Sequence, residues 1–131
     1  MELPQFSPGL SARVELTVTD ADTAQAVGSG DVPVLATPRV LALAEAATVA
    51  ATARLLPGGV TTVGTRAEVE HRAPTPVGHR VTALATLAKV DGRKLLFEVV
   101  VRDGEELVAE VRVERVVLDR RRFIAKALGD S

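Results

Sequence analysis

At 131 residues, with 47% hydrophobic and 25% charged side chains, the chain has the size and balance of one globular domain with a real core. A net charge of −1 gives no field that draws in DNA or anionic lipid, and 2% aromatics, three Phe without Trp or Tyr, leave no platform for stacking bases. Having no cysteine excludes disulfides, thiolate metal sites and a Cys nucleophile, and suits a reducing cytoplasm.

The first ten residues, MELPQFSPGL, hold two prolines and a glycine and are expected to form a loose arm. They lack the basic start and apolar run of a signal peptide. Ser11 to Thr19 alternates, with Ala12, Val14, Leu16 and Val18 on one face, and predicts a half-buried strand. Asp20 to Leu35 contains Gly28-Ser29-Gly30 and Pro33 and reads mostly as loop. No Lys-Ser/Thr follows those glycines, so they do not form a phosphate loop.

Thr37 is expected to cap a helix whose first position is Pro38, where a missing N–H does no harm. The helix should run to about Leu56 and stop at Pro57-Gly58-Gly59. It is apolar nearly all round, which predicts burial on several sides. From Val40 to Ala53 its single charged residue is Glu45. A carboxylate in such a run needs a partner, a ligand or a bend toward water; Arg66 and Arg115 are candidates for the partner. Arg54 and Glu45 interrupt the run, leaving it too short for a membrane span.

Four strands follow. Val60 to His71 places Val63, Thr65, Ala67, Val69 and His71 on one face and Arg66, Glu68 and Glu70 on the other. After Pro74 and Pro76 come Val81 to Val90, Arg93 to Arg102 and Glu105 to Leu118, joined by two-residue turns at Asp91-Gly92 and Asp103-Gly104. A basic, then polar, tail closes the chain. This order predicts a single α+β domain over 1–131, with 1–10 and 127–131 as loose ends. One sheet covers only one side of the helix, so a curled sheet and a homodimer are expected.

A hydroxyl at Thr37, a carboxylate at Glu45 and an imidazole at His71 on the core-facing parity point to acyl-transfer or hydrolytic chemistry. His79, beside Arg80, is expected to be solvated. Thr37 and Glu45 are eight residues apart, about 12 Å of helix rise, so substrate, water or His71 must bridge them. Two histidines without cysteine or an HExxH motif predict no metal site.

Val34-Leu-Ala-Thr-Pro38, Leu43-Ala-Glu45, Thr62-Val-Gly-Thr65, Val69-Glu-His71, Pro76-Val-Gly78 and Arg122-Phe123 follow in an order that resembles the hotdog-fold acyl-CoA thioesterases. Within them it is similar to the group around fluoroacetyl-CoA thioesterase. The resemblance implies a hotdog fold, a long central helix wrapped by a five-stranded antiparallel sheet. It also implies a homodimer or dimer of dimers with sites at the subunit interface, and no cofactor beyond the coenzyme A of the substrate.

On the same resemblance Thr37, Glu45 and His71 are the catalytic residues, and Gly64 binds substrate through its backbone. The Gly64 N–H and Thr37 hydroxyl would serve the oxyanion. Glu45 would act as base or nucleophile, and His71 would position the attacking group or shuttle a proton near neutral pH. Fluoroacetyl specialists close the pocket with aromatics ahead of the helix. Here Gly30 to Ala36 has none, which implies a broader short-acyl thioesterase. Arg120-Arg121-Arg122 reads as a solvated face that could also meet coenzyme A phosphates. A non-catalytic acyl-CoA or small-ligand binding module is the alternative. Enoyl-CoA hydration is disfavoured, because no Asp–His pair lies near the central helix.

Overall fold

The structure is a computed structural model and describes residues 3–129. Its elements are β1 (Ser11–Thr17), α1 (Ala24–Val27), α2 (Thr37–Thr52), β2 (Val60–His71), β3 (Arg80–Asp91), β4 (Lys94–Asp103), β5 (Glu106–Asp119) and α3 (Arg120–Ala127). The strands form one antiparallel sheet in the order β1-β3-β4-β5-β2. The long helix lies across it, packing most against β1 and β3. This is the expected α+β hotdog architecture.

Small residues make the helix–sheet contact. Val40, Leu43, Ala44, Ala47 and Ala51 of α2 meet Ala83, Ala85, Val99, Val111 and Val113 of the sheet, with Phe97 the largest fully buried side chain. The helix is not covered all round, as its composition had implied: Ala42, Ala46, Val49 and Ala50 are exposed in the single chain. One sheet reaches one side of a helix, and the described residues supply nothing for the other. Among the described residues β2, twelve residues long, is an edge strand paired only with β5. Among the described residues, no helix is long and apolar enough to cross a membrane.

Local details depart from the sequence reading. Both hairpin turns sit one residue later than expected. The pairs Asp91↔Lys94 and Asp103↔Glu106 leave Gly92-Arg93 and Gly104-Glu105 as the turns, each glycine at φ +59°. Glycine at the first central position meets the type II′ requirement. The 20–35 segment is more ordered than a loop. It holds a 3-10 turn at Asp20–Asp22 and α1, capped by Thr23 through Ala26 N–H at 3.1 Å. Arg39 Nε donates to Asp22 Oδ1 at 3.0 Å and ties this segment to α2.

The basic tail is helix α3, capped by Asp119 Oδ1, which accepts from Arg122 N–H at 3.0 Å. The inner end of the N-terminal arm is tied down. Gly9 N–H donates to Leu87 O and Leu87 N–H to Leu10 O, both at 2.8 Å, while Phe6 and Leu10 pack on the core.

The departure with most consequence is in β2. Gly64 pairs with Arg115 and Arg66 with Glu114, so Thr65 is the extra residue of a β-bulge. The Thr65 hydroxyl turns out to Glu114 at the surface. Before the bulge Thr62 and Gly64 face the helix; after it Val69 and His71 do. The predicted common face of Val63, Thr65 and His71 is therefore broken at Thr65.

Candidate active site

Thr37 does not cap α2. Ala36 occupies the N-cap with no side-chain bond, and Thr37 is the first helical residue, with Pro38 behind it. Freed from capping, the Thr37 hydroxyl lies 2.8 Å from His71 Nδ1 at the end of β2. The pair lines a cavity of about 350 Å³ with Val34 and Leu35 on one side and Arg72 to Pro74 on the other. His71 Nε2 is buried and has no protein partner among the described residues, and neither has the hydroxyl of Thr75 nearby in the chain. Burial pushes the imidazole pKa down, with a smaller opposing pull from the Ala73 backbone. The open N-terminus of α2, with its partial positive charge, also disfavours a cationic ring.

Glu45 is not the buried charge its apolar run suggested. Its side chain is 39% exposed, while its partner Arg115 is 7% exposed. Arg115 Nη1 donates to Glu45 Oε2 at 3.2 Å. The other edge of the guanidinium is held by Thr62: Nε donates to the hydroxyl at 2.9 Å and Nη2 to the carbonyl at 3.0 Å. Burial pulls the Arg115 pKa down and Glu45 raises it again; a guanidinium stays charged throughout. Of the two candidate partners, Arg66 is excluded, since it lies at the surface beside Glu68.

Gly64 closes this second group. A Cβ built on it would collide with Glu45 Oε2 and crowd Arg115 Nη1, so only glycine lets the carboxylate lie on the strand. Thr62 escaped the sequence reading. Its only signal was its place two residues before Gly64, on the same face. His79 is exposed and paired with Asp103 at 2.7 Å.

The four predicted residues thus form two pairs, Thr37–His71 and Glu45–Gly64. Regular helix separates Thr37 from Glu45 by about 12 Å of rise. Gly64 and His71 stand seven residues apart on β2, roughly 20 Å of strand. One chain does not bring the pairs together.

The family described as FlK, fluoroacetyl-CoA-specific thioesterase, matches residues 18–121. The chain belongs to this family. It is 39% identical to fluoroacetyl-CoA thioesterase of Streptantibioticus cattleyicolor over 93 residues, 71% of this chain and 67% of that protein. A solved structure of a threonine-to-serine mutant of FlK in complex with acetyl-CoA superposes with a TM-score of 0.90 at 29% identity, covering 96% of this chain and 99% of that one. A thioesterase superfamily member from Thermus thermophilus matches with a TM-score of 0.87 at 26% identity, over 94% and 91% of the two chains. Membership of the FlK family makes this chain a thioester hydrolase.

Two predictions follow from the geometry. Thr62→Val strands the buried Arg115 Nε donor and should lower stability by about 1–3 kcal/mol, measured by denaturant unfolding. Thr62→Ser, which restores the acceptor, should recover most of the loss. By NMR titration His71 should protonate below the ordinary histidine value of about 6.5. Its folded pKa lies below the unfolded one, so the unfolded chain takes the proton first. The His71 contribution to stability is then constant above about pH 6.5 and declines as pH falls from there through the folded pKa.

Proposed function

We propose that this chain hydrolyses small acyl-CoA thioesters at a site shared between two copies of itself. The observation that carries the proposal is the division of the candidate site residues into two pairs, seven residues apart along an edge strand whose outer side has no partner among the described residues. A twelve-residue edge strand is a template for another strand. If β2 pairs antiparallel with its own copy about a two-fold axis at Glu68, the Gly64–Thr65 bulge of each copy falls opposite the other copy's His71. Glu45 and Gly64 of one copy then face Thr37 and His71 of the second. The same pairing lays the exposed Ala42, Ala46, Val49 and Ala50 stripe toward the second copy.

In the proposed site, the Gly64 N–H and the second copy's Thr37 hydroxyl donate to the oxygen of the polarised thioester carbonyl. Arg115 occupies Glu45 Oε2, leaving Oε1 free to activate water or attack the carbonyl carbon. A neutral His71 accepts or relays the proton near pH 7, and the coenzyme A thiolate leaves without strong acid assistance. Val34 and Leu35 give the cavity an aliphatic wall, which suits a small acyl group. The acetyl-CoA complex of the relative supports the substrate class. The cysteine-free composition supports the cytoplasm as its place of work.

Thiol release from acetyl- to hexanoyl-CoA and aryl-acetyl-CoA tests the activity, and no turnover above background across that set would refute it. Glu45→Gln should lower turnover by about 10²–10⁴-fold. Its melting temperature should change little, because the amide oxygen still accepts from Arg115 and Thr62 still holds the guanidinium. Mixing this variant with His71→Asn separates a shared site from a site within one chain. After subunit exchange, a shared site yields one intact site per heterodimer and roughly a quarter of the parental activity. No recovery in verified heterodimers would refute the shared site.

A further inference from the structure

Where β5 runs into α3 there is a second cavity, of about 720 Å³, lined by none of the candidate catalytic residues. Its wall brings together Arg93 from the β3–β4 turn, Leu118 and Asp119 from β5, and Arg122, Phe123 and Lys126 from α3. Among the described residues, none of its three cations makes a salt bridge. The single carboxylate, Asp119, is engaged in capping α3. Phe123 stands 42% exposed among them.

Both elements are fixed. The Arg93 carbonyl accepts from Val117 N–H at 2.9 Å, and Arg120 N–H donates to Gly59 O at 2.9 Å. In a chain whose net charge is −1, three uncompensated cations from two elements around an accessible aromatic ring are a local concentration of one chemistry. Guanidinium and ammonium groups bind phosphate, and an exposed ring stacks on a base.

We infer that this cavity binds the phosphorylated adenosine end of the coenzyme A thioester, with Arg93, Arg122 and Lys126 on the phosphates and Phe123 against the adenine. The inference rests on the acyl-CoA reading above. Position supports it: Asp119 pairs with Val60, four residues along β2 from Gly64, about 13 Å of strand. The extended pantetheine arm covers such a span. Leu118 faces away from the core-buried Val117, so the arm has to turn over the strand end. The chain there is Gly58-Gly59, with open space where a side chain would stand.

The test uses adenosine 3′,5′-bisphosphate and inorganic phosphate as probes. Calorimetry should show saturable binding of the bisphosphate to the parent protein, weakened by salt, and at least tenfold weaker binding of phosphate. Arg93→Gln/Lys126→Gln should reduce bisphosphate affinity by about tenfold or more, the scale of one charge-assisted hydrogen bond. The kcat/KM ratio of acetyl-CoA to acetyl-pantetheine should fall by a similar factor, through KM.

No bisphosphate binding by the parent, or equal affinity for phosphate, would overturn the assignment. So would a variant that keeps the parental affinity or the parental ratio. If the parent hydrolyses neither thioester, the acyl-CoA reading fails by itself. Calorimetry still decides whether the cavity takes a phosphorylated nucleoside.

Discussion

A single inserted residue in an edge strand sets the face on which the site residues lie. Gly64 and His71 are seven positions apart, an odd number, and a regular strand turns such residues to opposite faces. The bulge at Thr65 removes one step of alternation. Gly64 and His71 then both look toward α2, one beside Glu45 and the other beside Thr37. Without the bulge, the backbone that admits the Glu45 carboxylate or the imidazole that meets Thr37 would face solvent. Bulges recur at sheet edges and beside active sites because they re-aim a side chain without changing strand order.

The Arg115 guanidinium supplies the second constraint. A cation taken out of water is costly unless its donors are matched, and here three are matched by only two residues, Thr62 and Glu45. Thr62 supplies two acceptors in fixed geometry, so the arginine has little freedom left when it reaches Glu45. The carboxylate is thereby held on one oxygen while staying 39% open to its surroundings. A fully buried ion pair would have no group to offer a substrate, and a fully solvated glutamate would have no fixed direction. Half-burial with a clamped partner avoids both, which is the arrangement a base or nucleophile needs.

The succession of elements, the helix position and the hairpins were legible in the sequence because each rests on local alternation or on a breaker such as Pro57-Gly58-Gly59. What was misread depended on contacts distant in the chain. The bulge exists only relative to β5, so alternation along β2 alone ran straight through Thr65. Thr37 fits the local pattern of an N-cap, yet its hydroxyl is taken by a histidine 34 residues away. Glu45 has its partner 70 positions on, and nothing local distinguishes Arg115 from Arg66. The basic run after Asp119 hid a short helix, capped by Asp119, whose apolar residues are not buried. Thr37, Glu45 and His71 stood out by residue type and parity, whereas Gly64 came through family resemblance; periodicity would have placed Gly64 on the wrong face.

The exposed alanine stripe of α2, the unpaired edge of β2 and the separation of the two site pairs are three views of one incompleteness. A five-stranded sheet leaves one side of the helix uncovered, and the uncovered side runs beside the edge that carries Gly64 and His71. Alanine there serves two needs. Against the sheet it lets the helix approach closely, as Ala44, Ala47 and Ala51 do. On the open side it leaves room for a second surface at the same short distance. The buried and unmatched His71 Nε2 and Thr75 hydroxyl belong to the same account, since orphaned polar atoms weaken a fold and persist where function requires them. They occur at the Thr37–His71 end, the half of the proposed site that lacks a carboxylate of its own. In the two-fold arrangement Glu45 and Gly64 of the second copy arrive at that end. Under that proposal the polar groups left unmatched in one chain meet the polar groups of a second.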